Sequence, residues 1–189
     1  MHVQALQSDP GISLLPAAVE HAPALALLVQ QNSEHLRPFL PQVVALSSLE
    51  AARDHLCSSI EYASRAEVFE WHVFLDGTLC GAIRLKDIDK SDRKAQIGYY
   101  IGQAFTGKGI VTSAVRSVLA YCFGPLNLDR IELRCAAGNL PSMRVAEKLG
   151  FVREATLREE ECLDGVFVDQ HVYGLLGIDF KRARLDASS

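Results

Sequence analysis

The stretch Ile97-Gly98-Tyr99-Tyr100-Ile101-Gly102, followed after three residues by Thr106-Gly107-Lys108-Gly109-Ile110-Val111-Thr112, decides how this chain reads. The first segment is a strand. From Ile110 the period changes: Ile110, Val111, Ala114, Val115, Val118, Leu119, Cys122 and Phe123 mark one face of a helix that Gly124-Pro125 ends. Glycines at the joint let backbone approach a ligand closely, and the unpaired N–H groups and dipole of a helix start favour an anion, a phosphate above all. A loop that uses two glycines only for turning has the same pattern, so this loop alone does not decide between the two.

Working outward, residues 69–75 and 78–85 are β-rich and flank Asp76-Gly77, a dipeptide that tolerates positive φ in a tight hairpin. A charged loop, 86–94, leads to a third strand over 95–101. Before the hairpin, residues 13–15 read as a first strand and 23–30 as a helix. Ser47 and Glu50 then form an S-x-x-E capping box ahead of Leu49, Ala52, Leu56 and Ile60, which predicts a second helix over 48–63. After the central helix, Ile131, Leu133 and Cys135 alternate with charged residues as in a strand with one buried face. Pro141 opens and Gly150 closes a short helix, and 151–157 and 166–173 read as two final strands. The order is that of an α+β fold, with an antiparallel meander in a mixed, mostly antiparallel twisted sheet of about six to seven strands and about four flanking helices.

The 189 residues, 49% hydrophobic and 22% charged, fit a single domain over 1–189, with no repeat or linker and with the ends, 1–10 and 180–189, expected to be flexible. No apolar run reaches the ~18 residues a spanning helix needs, and the first twenty residues lack a secretory pattern, so no membrane and a cytoplasmic location are expected. Five cysteines, Cys57, Cys80, Cys122, Cys135 and Cys162, form no C-x-x-C pair, which predicts reduced thiols and no metal. A net charge of −4 argues against direct nucleic-acid binding and suits a cationic substrate such as an amine.

Asn139-Leu140-Pro141-Ser142 and Glu147-Lys148-Leu149-Gly150-Phe151 follow the glycine loop at the end of the next strand and across the next helix. Together these segments resemble the acetyl-CoA-binding half, about 95–151, of the GNAT superfamily of N-acetyltransferases. The likeness extends over 69–176 by order of elements and is specific over 96–151. Leu36-Arg37-Pro38-Phe39-Leu40-Pro41, Gln96-Ile97-Gly98-Tyr99-Tyr100, and Leu157, Arg158, Glu161 and Gly165 further resemble the RimJ/RimL group, which acetylates protein N-termini. Two prolines make 36–41 a rigid turn with or without a ligand.

The resemblance implies the GNAT fold and an acetyl-CoA-dependent N-acetyltransferase. Its acceptor is expected to be a protein or peptide N-terminal α-amine, ribosomal or other, attacked directly in a ternary complex. A small-amine acetyltransferase (polyamine, aminoglycoside or amino acid) and a non-catalytic acyl-CoA-binding module are the alternatives. Dimers occur among relatives, which leaves a homodimer open. Cofactor contacts are expected at Ile101, Gln103, Thr106, Gly107, Lys108, Gly109, Ile110, Val111, Thr112, Asn139 and Ser142, and substrate contacts at Leu36, Arg37, Phe39, Leu40 and Tyr99. A bulge in the strand is expected to free a backbone N–H near Ile101 to polarise the thioester carbonyl.

Thr106 replaces the usual glutamine or arginine and Val111 a small residue, changes that backbone phosphate binding tolerates. Gln96 stands where relatives often carry a glutamate base, and Ala146 where many carry a tyrosine acid. Glu161 is therefore the candidate base and Ser142 the candidate acid, although Glu159, Glu160 and Glu161 also read as a solvated acidic turn. Cys135 is discounted as an acyl-carrying nucleophile, because it shares the apolar phase of its strand and no histidine lies near it in sequence.

Overall fold

The computed structural model describes residues 3–186 and holds one eight-stranded sheet, in the order β1-β2-β3-β4-β5-β6-β8-β7. The strands are β1 (Leu6–Gln7), β2 (Ile12–Pro16), β3 (Phe69–Leu75), β4 (Thr78–Asp89), β5 (Lys94–Ile101), β6 (Arg130–Ala136), β7 (Val152–Leu163) and β8 (Val166–Leu176). The helices are α1 (Ala22–Gln31), α2 (Ser33–Leu36), α3 (Pro41–Val44), α4 (Leu49–Ser64), α5 (Ile110–Phe123), α6 (Leu140–Lys148) and α7 (Gly177–Asp186). All predicted elements are present, and β1, α2, α3 and α7 are additions to them.

Asp76 and Gly77 adopt φ of 48° and 79°, and Leu75 pairs with Thr78, the two-residue hairpin that this dipeptide predicts. The helix cap lies one residue later than expected: Ser48, not Ser47, accepts from the Ala51 N–H at 3.1 Å. Near the ends, Trp71 Nε1 donates to the Gln4 carbonyl at 2.8 Å and α7 runs to Asp186.

Strand alternation sorts the sheet into two faces. Phe69, Trp71, Val73, Ile83, Leu85, Ile97 and Leu133 pack with α5 residues such as Val115, Val118 and Leu119. On the other face, α1 and α4 place Leu25, Val29, Ala52 and Leu56 over Leu79, Phe74 and Tyr100. A fully buried leucine or isoleucine contributes about 1.5–3 kcal/mol, so these two layers hold the sheet between helices.

Strands β5 and β6 are parallel, but they pair only from Lys94↔Arg130 to Ile97↔Leu133. Beyond that point β5 stays with β4 and β6 stays with β8, so the sheet opens into a V. The Gly102 N–H donates to the Cys80 carbonyl at 2.8 Å, and alternation from that bond turns the backbone polar groups of Tyr99 and Ile101 into the opening. The expected bulge at Ile101 is absent: β5 is regular there, and the irregularity lies between Lys86 and Asp89 on β4. Divergence of the strands, not a bulge, frees the donors.

Candidate active site

Helix α5 starts at the mouth of the V. Gly107 and Gly109 have φ of 73° and 78°, a region that side chains disfavour, and Gly109 is the helix N-cap with no side-chain cap. The first intrahelical bond is Ser113 N–H to the Gly109 carbonyl, which leaves the N–H groups of Ile110, Val111 and Thr112 directed out of the helix start. The loop before it is pinned: Asn32 Oδ1 accepts from the Gln103 N–H at 2.8 Å, and Thr106 Oγ1 donates to the Gln103 carbonyl at 2.7 Å.

A cavity of about 590 Å³ runs from this loop into the V, lined by Thr106, Gly107, Gly109, Ile110, Val111 and Thr112, then by Ile101 and the start of α6. Free N–H groups at one end and unpaired strand backbone at the other fit a phosphate and an amide-bearing arm respectively. Gln103 and Lys108 do not line it; both are exposed, and Lys108 Nζ stands 5.9 Å from the Phe105 ring centre.

A second cavity, about 370 Å³, opens over the α4 face of the sheet, with Glu70, Arg84, Gln96, Glu161, Gln170 and His55 among its walls. The two cavities share Phe39, Leu40, Tyr99, Tyr100, Asn139 and Ser142. Leu36 lines the first only. Arg37 lines neither: it is exposed, with Nη1 3.9 Å from Asp164 Oδ2 in the β7–β8 turn.

At the junction, the Tyr99 hydroxyl lies 2.9 Å from Ser142 Oγ and donates to the Ser142 carbonyl at 3.3 Å. Burial raises the Tyr99 phenol far above its ordinary value, so it stays protonated at neutral pH. Asn139 caps α6, its Oδ1 accepting from the Ser142 N–H at 3.2 Å, so its side chain also has the structural use that a turn-former would have. Burial pushes the Cys135 thiol up to about 11, against a lowering contact from Ser142, which leaves no thiolate for a nucleophile.

Glu159, Glu160 and Glu161 do not form a turn. They lie within β7, where a register shift between Leu157 and Glu161 and a φ of 51° at Glu159 rotate the chain. Glu159 and Glu160 are exposed, whereas Glu161 is half-buried, faces the second cavity and accepts from Gln170 Nε2 at 3.0 Å. Gln96 instead donates to Glu132 Oε1 on the adjoining strand at 3.4 Å.

The reading from sequence missed Glu70. Its carboxylate is 3% exposed, held by His55 Nε2 at 3.0 and 3.1 Å and by Ser59 Oγ at 3.0 Å, with His72 Nε2 at 3.5 Å. Burial alone would raise its pKa, but the bonds from His55 and His72 outweigh that and hold it well below the usual carboxylate range. A signal existed in Glu70 and His72 on the polar phase of β3 and in His55 and Ser59 one turn apart on α4.

Two cavities meeting at one pair of hydroxyls suit a reaction between two substrates, and a helix start with free N–H groups beside a splayed strand pair suits a phosphate-bearing substrate such as a CoA thioester. The chain belongs to the GNAT family: the acetyltransferase (GNAT) domain matches residues 12–152. It is 36% identical over 157 residues to the putative ribosomal N-acetyltransferase YdaF of Bacillus subtilis (strain 168), covering 82% of this chain and 85% of that one. Mycobacterium smegmatis RimJ in complex with CoA-disulfide superposes with a TM-score of 0.87 at 25% identity, covering 95% of this chain and 91% of that one. The microcin C7 self-immunity acetyltransferase MccE, in complex with acetyl-CoA and AMP, gives 0.84 at 26% identity, covering 89% and 93%. The protein is thus a RimJ/RimL-like N-acetyltransferase that uses acetyl-CoA, and the reading as a non-catalytic module is set aside. Among the described residues no helix is long and apolar enough to cross a membrane, and no cluster of metal-binding side chains occurs.

Proposed function

We propose that the chain acetylates the α-amine of a protein or peptide N-terminus, with the acceptor in the 370 Å³ cavity and the acetyl donor in the 590 Å³ one. The observation that carries this is the junction, where Ser142 and Tyr99 line both cavities and Glu161 lines only the acceptor side. Acetyl-CoA supplies an activated acetyl thioester. The N–H groups of Ile110, Val111 and Thr112 hold its pyrophosphate, and the strand backbone at Tyr99 and Ile101 aligns its arm. The Ile101 N–H donates to the acetyl carbonyl oxygen as negative charge develops there.

Glu161 accepts the proton of the attacking amine. Ser142 Oγ–H delivers a proton to the departing sulfur and is reprotonated from solvent, to which Glu161 releases the proton it took, and the protonated Tyr99 hydroxyl holds Ser142 in place. Phe39 and Leu40, which line both cavities, flank the entering chain, whereas Leu36 lies on the donor side. An α-amine needs roughly 1 kcal/mol to deprotonate at pH 7, whereas a lysine needs roughly 4–5, so a half-buried carboxylate serves the first far more readily. The likeness to a putative ribosomal N-acetyltransferase and to RimJ supports the same choice.

The test is a thiol-release screen across N-terminal peptides, amino acids, polyamines and aminoglycosides. Turnover is expected with N-terminal peptides. Turnover confined to amino acids, polyamines or aminoglycosides would overturn the reading.

A further inference from the structure

Arg84 lies on β4 at the wall of the acceptor cavity. Its Nε is fully buried without a hydrogen-bond partner, and the guanidinium has no ion pair among the described residues. Glu70 is its direct neighbour across β3, yet that carboxylate is occupied by His55, Ser59 and His72. Arg84 is only half-buried, so its terminal nitrogens reach the cavity while Nε is enclosed without a partner, and a donor left in that state calls for an acceptor that the described residues do not supply.

Across β5 the neighbour of Arg84 is Gly98. A Cβ there would meet nothing within 4 Å, and its φ lies outside the left-handed region, so neither crowding nor backbone conformation calls for glycine. What glycine does is leave a recess beside the guanidinium. Tyr100 stands two residues on, on the same face of β5, and its hydroxyl is also buried without a partner. Arg84, Gly98 and Tyr100 all line the acceptor cavity, so its wall carries two side chains with unmet donors; both orphan atoms are enclosed, and acceptor oxygens reach them as the side chains turn toward the recess.

We propose that the acceptor amine carries a carboxylate close to the reacting nitrogen, and that Arg84 binds it in the recess over Gly98. A planar guanidinium matches a carboxylate with two parallel bonds, and the Tyr100 hydroxyl adds a third donor. The inference rests on the reading that this cavity takes the acceptor. With Glu161 on one wall and Arg84 on another, the cavity offers opposite charges to the two ends of a dipolar acceptor. Polyamines and aminoglycosides would instead bring a second cation toward Arg84, which disfavours them. The carboxylate has two sources: the α-carboxylate of a free amino acid, or an acidic side chain at the start of a peptide.

Matched acceptors separate them. Serine is compared with serinamide, and C-terminally amidated peptides beginning Ser-Asp or Ser-Glu are compared with Ser-Asn or Ser-Gln. Both kcat/KM from thiol release and Kd from calorimetry on CoA-loaded protein are measured. In one of the two pairs the carboxylate member is expected to be favoured at least about tenfold, chiefly through KM and Kd, and that pair identifies the source. Arg84→Met should bring the ratio toward one, Arg84→Lys should restore part of it, and Gly98→Ala should lower it by filling the recess. A ratio near one for both pairs in the unaltered protein overturns the proposal, as does a ratio that survives Arg84→Met. Should Arg84→Met not fold, the unaltered ratio and Gly98→Ala decide alone. Failure of all α-amines to turn over would sink the N-terminal reading, whereas the calorimetric ratio would still decide this one.

Discussion

Ser142 and Glu161 carry opposite halves of the proposed proton traffic, and they are testable separately. Ser142→Ala removes the hydroxyl that Tyr99 touches at 2.9 Å while leaving the backbone N–H that Asn139 caps. It should lower kcat by about ten- to a thousandfold, the scale of one general acid or oxyanion donor, with little change in CoA affinity. A near-normal kcat would make the serine structural. Glu161→Gln should reduce kcat sharply at pH 7 and recover partly as pH rises past about 8, where more of an α-amine is already neutral. Gln96→Ala, which loses only the contact with Glu132, should shift the rate far less. Equal pH–rate profiles for these two variants on one peptide would leave solvent as the base. Sequence alone named both catalytic candidates, but it could not show that Tyr99 would meet Ser142, because that meeting needs the strand and the helix to be packed together. Arg84 and Glu70 went unnoticed for a related reason: a charged residue on a strand's polar phase looks solvated until a helix covers it.

At the scale of elements, the start of α5 and the join of α4 to β3 give contrasting predictions. Gly109→Asp sets a carboxylate against the proposed phosphate position and forces a side chain into a φ of 78°. CoA affinity should fall severely, while the left-handed residue costs roughly 1–2 kcal/mol of stability. Unchanged affinity by calorimetry in the folded variant would remove this loop from the site. Glu70→Gln should cost about 3 kcal/mol at pH 7 by urea unfolding, since it breaks a buried charged network between His55, Ser59 and β3. Because Glu70 is held below its ordinary pKa, its contribution is present above the usual carboxylate range and fades as pH falls through and beneath it. The variant's deficit should therefore shrink in acid; a deficit independent of pH would place the cost in packing. Most elements were legible because period, caps and the Asp76-Gly77 turn agree. The same signal recurs at Asp164-Gly165, with φ of 47° and 85°, but the run of glutamates before it carries no apolar alternation, so the sequence pattern ends β7 about six residues before Leu163.

Across the whole molecule, the sheet's alternation puts α5 behind one face and α4 over the other, and the parting of β5 from β6 is the passage between them. Composition and element order give the α+β class and the resemblance gives the GNAT fold, but the parting is a three-dimensional fact: residues 98–101 read as ordinary strand, and nothing in them says that their neighbour has left. The parting has a kinetic consequence. With donor and acceptor in the two cavities as proposed, each approaches the passage through its own cavity, so one can be seated while the other leaves, and neither blocks the other's way in. Product inhibition should show this: free CoA should compete with acetyl-CoA yet act non-competitively or in mixed fashion against the amine, while the acetylated product should compete with the amine alone. Double-reciprocal plots would expose a shared route if CoA competed with both substrates. A passage open at both ends lets the molecule operate as a meeting point, and exchanging one visitor need not disturb the other.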